Sequence, residues 1–487
     1  MDGGDPVPQV RNRNCRGRRR PRTCGRCSSR GPAASSRRAH RRGPASSCGT
    51  TRAATQRSAL RGGRRLGWAS ARGAAEGWGQ ETLFEDPTDL VGHDVLDFSA
   101  TTGFPVIVDL NIFGTSAAAD QVIGTLTVVI EAGGFEEVIG GDMDDEITGN
   151  SLDNTLRGGP GHDLLEGFGG DDFLDGGEGN DRLDGGPGFD SFSESENVDF
   201  TLTDTNVTKG TDYDVLQDVE FASLTGGALP NTFDLTGWTG SALIDGGGHG
   251  SDLFIQAANA DFVFDDANPG DLSIPGVDVS VTHVGAASSD TISVVNVENF
   301  EITGGVSANT IDGSALSPLT PMMVARGNFT FDGAGGDDMI TGTIWSDVLN
   351  GGADDDTITP LAGDDQVDGG TGTDMLIEQT ASLGGIEFIL DDAFLNSSAG
   401  VFSETDSLSG VEDASLLGGP GDDTFTVSEW TGVNVSWDGA GGTHEIYFSQ
   451  DADMVLTDSA IAVGGVTTDI SLANMNEVHL EGGAQSF

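Results

Sequence analysis

Positive charge all but disappears after residue 80. Residues 81–487 hold only Arg157, Arg182, Lys209 and Arg326 as cations, whereas of the chain's 78 acidic residues only Asp2, Asp5 and Glu76 come earlier, leaving 75. At about −71 this segment repels itself unless counter-ions bind, and it excludes nucleic acid as a partner. Cysteine is missing from it too, since Cys15, Cys24, Cys27 and Cys48 all precede it, so neither a disulfide framework nor redox chemistry operates there. Cys24 and Cys27 form one CxxC, but no second pair follows and His40 is the only histidine nearby, too few ligands for structural zinc. No stretch reaches the roughly 18 apolar residues of a membrane helix, so no membrane span is expected.

Catalytic motifs are also missing. HExxHxxGxxH, GxSxG and GxxxxGK[ST] do not occur, and the one His-Glu, at His444, continues HEIYF without a second histidine. His162 and His249 fall at variable repeat positions, where a solvated side chain is expected. Carboxylates are so frequent that pairs of them say nothing about acid–base work. The chain is expected not to be an enzyme. Residues 1–80 are a different polymer, with nineteen arginines, no lysine and no apolar periodicity. An arginine-rich nucleic-acid tail would interleave aromatics, and none occurs before Trp68, so a disordered or spurious leader is the expectation. No apolar stretch follows the positive residues as a secretory signal requires.

The acidic segment is rich in glycine and aspartate at a short period. Six nine-residue units fill residues 140–193, and GGPGHDLLE, GGEGNDRLD and GGPGFDSFS fit G-G-x-G-x-D-x-U-x at every fixed position, U being large and apolar. Glycine at positions one, two and four permits positive φ and close approach, so that carbonyls can turn inward. Aspartate at position six offers the hard oxygen that Ca²⁺ prefers. Strand alternation then sends U inward, giving Ile147, Leu156, Leu165, Leu174, Leu183 and Phe192 as core. The first two units carry Met143 and Leu152 at position four, and the second has Asn154 at position six. A second array, residues 333–377, has Asp338, Asp347, Asp356, Asp365 and Asp374 at position six and Ile340, Leu349, Ile358, Val367 and Leu376 at U. Trp345 and Asp354 replace its glycine at position four and Pro360 opens one unit, so looser turns and weaker ion binding are expected there. Single units, GGHGSDLF with Asp252 and GGPGDDTFT with Asp423, are expected to lack a same-edge neighbour.

These units resemble the RTX, or haemolysin-type, calcium-binding repeat. The resemblance implies a parallel β-roll in which two nonapeptides make one coil and turns two units apart clamp a Ca²⁺. It implies ligands at Asp145, Asp163, Asp172, Asp181 and Asp190, with the second array's aspartates and Asp252 and Asp423 in the same role. About seven ions at most would fill the two arrays. It also implies a secreted, extracellular protein. Residues 90–141, including VLDFSATTG, VIVDL and FEEVIGG, resemble the β-rich lead-in of serralysin-type metalloproteases, over their non-catalytic region only.

A longer unit surrounds the short one. The segments EEVIGG, FASLTGG, FEITGG, ASLLGG and VHLEGG each place an apolar residue two before Gly-Gly. NTFDLTGWTG and DTFTVSEWTG put Trp238 and Trp430 twelve residues beyond Gly226 and Gly418, with Leu316 at that offset from Gly304. Alternating stretches such as VSVTHV, rich in Val, Ile, Phe and Thr, indicate strand and turn. The expected architecture is all-β, a parallel β-roll or β-helix solenoid. Its parts are a leader (1–80), a β-rich lead-in (81–139), the first array (140–193), long repeats (194–332), the second array (333–377) and further long repeats (378–487). Three functions fit. The favoured one is a calcium-binding structural or adhesive protein meeting cell-surface or matrix glycans or proteins. The others are the export and folding region of an enzyme with its catalytic domain elsewhere, and a carbohydrate-binding module using Trp238 and Trp430, whose competing role is core filling.

Overall fold

The computed structural model describes residues 94–482 apart from 104, 111–119, 124–125, 131–134, 249–250, 267–278, 285–290, 317–327, 380–384, 400–401, 429, 440, 451–452, 457–459 and 465–468, together with strands Gln56–Leu60, Arg65–Gly67 and Glu81–Glu85. The cysteines, His40, His249, Arg326 and the other leader residues lie outside the described residues.

Three strand residues and a turn per nonapeptide carry the chain from one sheet to the other, and after eighteen residues it returns beside its own earlier strand. Glu146–Thr148, Leu164–Glu166 and Arg182–Asp184 stack in parallel in one sheet, and Thr155–Pro160, Phe173–Glu178 and Ser191–Ser195 in the other. The register sets like on like: Ile147, Leu165 and Leu183 form one column and Leu156, Leu174 and Phe192 the facing one. All six are fully buried, as are Ile340, Leu349, Ile358, Val367 and Leu376 of the second array. Two sheets dominated by parallel pairing thus form a β-roll solenoid, with no helix among the described residues. Among the described residues no helix is therefore long and apolar enough to cross a membrane.

The long repeats continue both sheets but depart from simple winding. Three excursions in the first sheet, at residues 106–130, 200–217 and 387–409, and two in the second, at 261–295 and 453–473, each run out, back and out again as antiparallel strands. The loop at Asp204 and Thr205 shows the cause: Thr203 pairs with Asn206 across a two-residue hairpin turn, too short for a crossover to the opposite sheet. After the excursion, Asp212–Gln217 lies against Arg182–Asp184, while Phe200–Thr203 faces Thr232–Asp234. Parallel register then stacks phenylalanines: Phe200 on Phe233, Phe300 on Phe329 and Phe388 on Phe425, with centroids 4.9–5.5 Å apart. Trp238, Leu316 and Trp430 are buried at their shared offset, which settles them as core and removes them as sugar-stacking faces. Strand pairing also starts earlier than the boundary at residue 81, because Gln56–Leu60 pairs with Glu81–Glu85 and Arg65–Gly67 with Asp94–Asp97.

Candidate metal centre

Each array carries a ladder of aspartates along both of its turn edges. The amide of Asp145 donates to Oδ1 of Asp163 (2.7 Å), and that of Asp163 to Oδ1 of Asp181 (2.8 Å). On the other edge Asn154 donates to Asp172 and Asp172 to Asp190. In the second array Asp338 bonds Asp356, Asp356 bonds Asp374 and Asp347 bonds Asp365, all at 2.7–2.9 Å. One carboxylate oxygen of each accepting aspartate in these pairs is thereby spent on the backbone of the turn eighteen residues earlier.

The second oxygen divides the turns into two kinds. In closed turns it is satisfied locally: the amide of Gly141 donates to Asp145, that of Asn150 to Asn154, and the amide and hydroxyl of Thr343 to Asp347. These are the three units with Met143, Leu152 or Trp345 at position four, and none has a left-handed residue at position two or four. In open turns Oδ2 is buried with no hydrogen-bond partner, at Asp163, Asp172, Asp181, Asp190, Asp338, Asp356, Asp365 and Asp374. Position two is left-handed in each open turn, even where it is Phe168, Ala334 or Leu361. Gly177 and Gly179 (φ +97° and +127°) show why glycine suits positions two and four: a Cβ on either would strike the carbonyl oxygen of Gly159 or Gly161 in the preceding same-edge turn. Carbonyls and a free carboxylate oxygen therefore line the same gap, an all-oxygen donor set fit for Ca²⁺. Among the described residues no three acidic or histidine side chains gather at one metal position, so backbone oxygens must complete each site.

Two expectations change. Asp354 keeps the open form at φ +79°, a conformation aspartate tolerates, so each array has four open turns and the second is less irregular than its sequence suggests. The single units are not isolated: Asp252 accepts the amide of Asn231 and donates to Glu298, while Asp423 accepts that of Ile386 and donates to Nδ1 of His444. Long-repeat strands supply the same-edge neighbours that the nonapeptide period could not reveal. Only four gaps lie between two open turns on one edge, at Asp163/Asp181, Asp172/Asp190, Asp338/Asp356 and Asp356/Asp374, fewer than the seven at most that the resemblance implied.

The ladders also end on residues that the repeat pattern missed. Glu220 accepts the amide of Asp190, Glu298 that of Asp252 and Glu412 that of Asp374; Asp214 and Asp406 do the same for Asp181 and Asp365. Glu220, Glu298 and Glu412 share a readable signal, a Val-Glu pair at the start of the segments leading to FASLTGG, FEITGG and ASLLGG.

Burial, partly offset by the amide each accepts, raises the carboxyls of Asp145, Asp181, Asp190, Asp252 and Asp338 to about 6 and those of Asp163, Asp172, Asp347 and Asp356 to about 7. Burial lifts Asp365 to about 9, and it raises Asp374 and Asp423 as well. Stacked carboxylates add to the rise, and a cation between them reverses it.

Open and closed turns should respond differently to substitution. Asp172→Ala removes an unpartnered oxygen between Asn154 and Asp190, and is expected to lose one bound ion and raise the Ca²⁺ midpoint of folding severalfold. Asp347→Asn keeps an acceptor for Thr343, as Asn154, Asn231 and Asn309 already do for their own turn amides, and should leave both near parent values. Calcium titrations followed by circular dichroism check this; equal midpoints for the two variants would void the distinction.

The RTX calcium-binding nonapeptide repeat matches four times, over residues 139–167, 161–192, 332–366 and 346–376. No curated protein matches the chain. Among solved structures, the extracellular lipase LipA from Serratia marcescens is similar over 70% of this chain and 38% of its own, at 12% identity and a TM-score of 0.18, too slight a likeness to argue from. Ladder geometry, unpartnered oxygens and family match agree: residues 139–192 and 332–376 are RTX calcium-binding nonapeptide repeats, and this is a chain with two arrays of them.

Proposed function

We propose that this chain is a secreted, extracellular solenoid with a structural or adhesive role, set into its working shape by Ca²⁺. The observation that carries the reading is the set of eight buried carboxylate oxygens without a hydrogen-bond partner, four in each array. A gap offering one or two carboxylates and otherwise neutral carbonyls belongs with extracellular modules, which bind Ca²⁺ at roughly 10⁻⁴ to 10⁻³ M. Sites of that strength stay empty at the levels cytosolic sensors read and fill outside the cell. A scaffold rather than a catalyst suits the described residues, which the two sheets and their turns take up throughout. Partners, whether cell-surface or matrix glycans or proteins, would meet the outward-facing strand residues, since Trp238 and Trp430 are in the core.

The test is retention of the full chain on immobilised matrix and cell-surface glycans with millimolar Ca²⁺ and with chelator. Retention with Ca²⁺ alone, at a folding midpoint near 10⁻⁴ to 10⁻³ M, supports the reading. A midpoint of roughly 10⁻⁶ M or below would place the protein with intracellular sensors instead.

A further inference from the structure

The two arrays end alike in position but not in charge. Glu194 stands two residues after the core residue Phe192, and Glu378 two residues after Leu376. Asp214 and Asp406 receive the last aspartate amide of the first sheet's edge in each array. In the excursion that follows, Asp214 pairs with Val207 and Asp406 with Leu395, so Lys209 and Ser397, each two residues further on, occupy equivalent places.

Lys209 is the chain's only lysine and is buried. Its Nζ lies 3.0 Å from both Glu194 Oε2 and Asp214 Oδ2, and it donates a hydrogen bond to the carbonyl of Gly177, a turn residue of the first array. Three oxygens thus surround one cation where the roll ends. Burial opposes the ammonium's charge, but the two carboxylates prevail and raise its pKa.

At the end of the second array no cationic side chain takes that place among the described residues. Ser397 Oγ donates to Glu404 Oε1 at 2.6 Å, and Glu404 Oε2 accepts the turn amide of Gly363. Glu378 is only 1% exposed, and neither of its oxygens has a hydrogen-bond partner. The charges bearing on it are Asp406, Glu404 and Asp365, all of its own sign. A buried carboxylate left in this state is costly unless a cation or a proton joins it.

We propose that Glu378, Glu404 and Asp406 form a binding site for a hard divalent cation, Ca²⁺ in calcium-rich medium, separate from the gaps between turns, and that Lys209 is the built-in cation of the equivalent site at the end of the first array. The inference rests on the calcium chemistry of the turns but not on any one of them. Donors at the site are all oxygen, as Ca²⁺ requires, with Ser397 Oγ as a neutral fourth. The three carboxylates are not gathered at one metal position, so binding requires the ion to draw them together. Glu378 has no hydrogen bond to give up at either oxygen in taking a cation. At the first end, a groove of about 470 Å³ lined by Asp175, Glu178, Glu194, Glu196 and Asp212 reaches Glu194 and gives an ion a way in if the lysine is removed.

Counting Ca²⁺ bound per full chain, by equilibrium dialysis with radioactive calcium at saturation, tests the exchange. Ser397→Lys and Glu378→Gln should each bind one ion fewer than the parent, and Lys209→Ser one more, on proteins whose far-ultraviolet spectra match the parent's with Ca²⁺. Glu378→Gln is nearly isosteric and decides the matter should the lysine exchanges fail to fold. An unchanged count in Glu378→Gln overturns the proposal and shows that a proton, not a metal, neutralises Glu378. The turn sites remain visible as the parent's other ions, so failure here is distinct from failure of calcium binding itself.

Discussion

Stripped of Ca²⁺ at neutral pH, the full chain is expected to lose most of its β-sheet spectrum and to recover it in millimolar Ca²⁺. Buried charge opposes buried apolar surface in both arrays, and the ion decides between them. Eleven buried U residues, from Ile147 to Leu376, contribute about 1.5–3 kcal/mol each through removal of apolar surface from water. Against them stand eight buried carboxylates with an unpartnered oxygen, each costing several kcal/mol when ionised without a counter-ion. Apolar stacking alone is therefore not expected to carry the roll at neutral pH, whereas ions bound only by the folded arrays add their binding free energy to folding. Circular dichroism with chelator and then with Ca²⁺ reads the result directly. A spectrum that is the same in both conditions would mean that the apolar column suffices.

Acid should replace calcium. A carboxyl whose folded pKa is raised favours the folded state only while protonated, so it costs nothing below its unfolded value of about 4. Its cost grows as pH climbs from there through the folded values of about 6 for Asp181 and Asp190 and about 7 for Asp163, Asp172 and Asp356. Calcium-free chain is thus expected to gain β-structure on acidification to about pH 4 and to lose it again between about pH 5 and 7. With Ca²⁺ present the sign reverses, because the ion needs the ionised form: the Ca²⁺ midpoint should rise steeply as pH falls from 7 to 5. A pH titration of ellipticity with and without Ca²⁺ separates the two branches. Loss of structure on acidification of the calcium-free chain would show that the aspartates are ionised in the apo fold and that burial does not govern them.

Much of this was legible because the period is strict. Nine residues per unit fix which residue points inward, so the column from Ile147 to Phe192 could be written down from spacing alone, whereas the ladder from Asp163 to Asp190 followed from the resemblance, which puts turns two units apart on one edge. The antiparallel excursions could not, since Phe200–Thr203 alternates just as a parallel strand does and only its short turn sends the chain back. Asp252 and Asp423 looked solitary because their ladder partners lie at irregular separations, 46 residues away for Glu298 and 37 for Ile386. Open and closed turns differ through an amide at position two, which a consensus letter does not record. The clue was nevertheless present in Met143, Leu152 and Trp345.

The ladder also has a direction. Every position-six amide of the arrays is satisfied by a carboxylate that comes later in the chain: Asp145 by Asp163, Asp163 by Asp181, Asp181 by Asp214. The amide one residue earlier runs the other way, His162 donating to Asp144, Asp171 to Asp153 and Phe189 to Asp171, so each turn both lends a carboxylate to its predecessor and borrows one from it. Neighbouring turns therefore complete one another, and Glu220, Asp214, Glu412 and Asp406, none of them part of a nonapeptide, stand in for the missing next turn where each array stops.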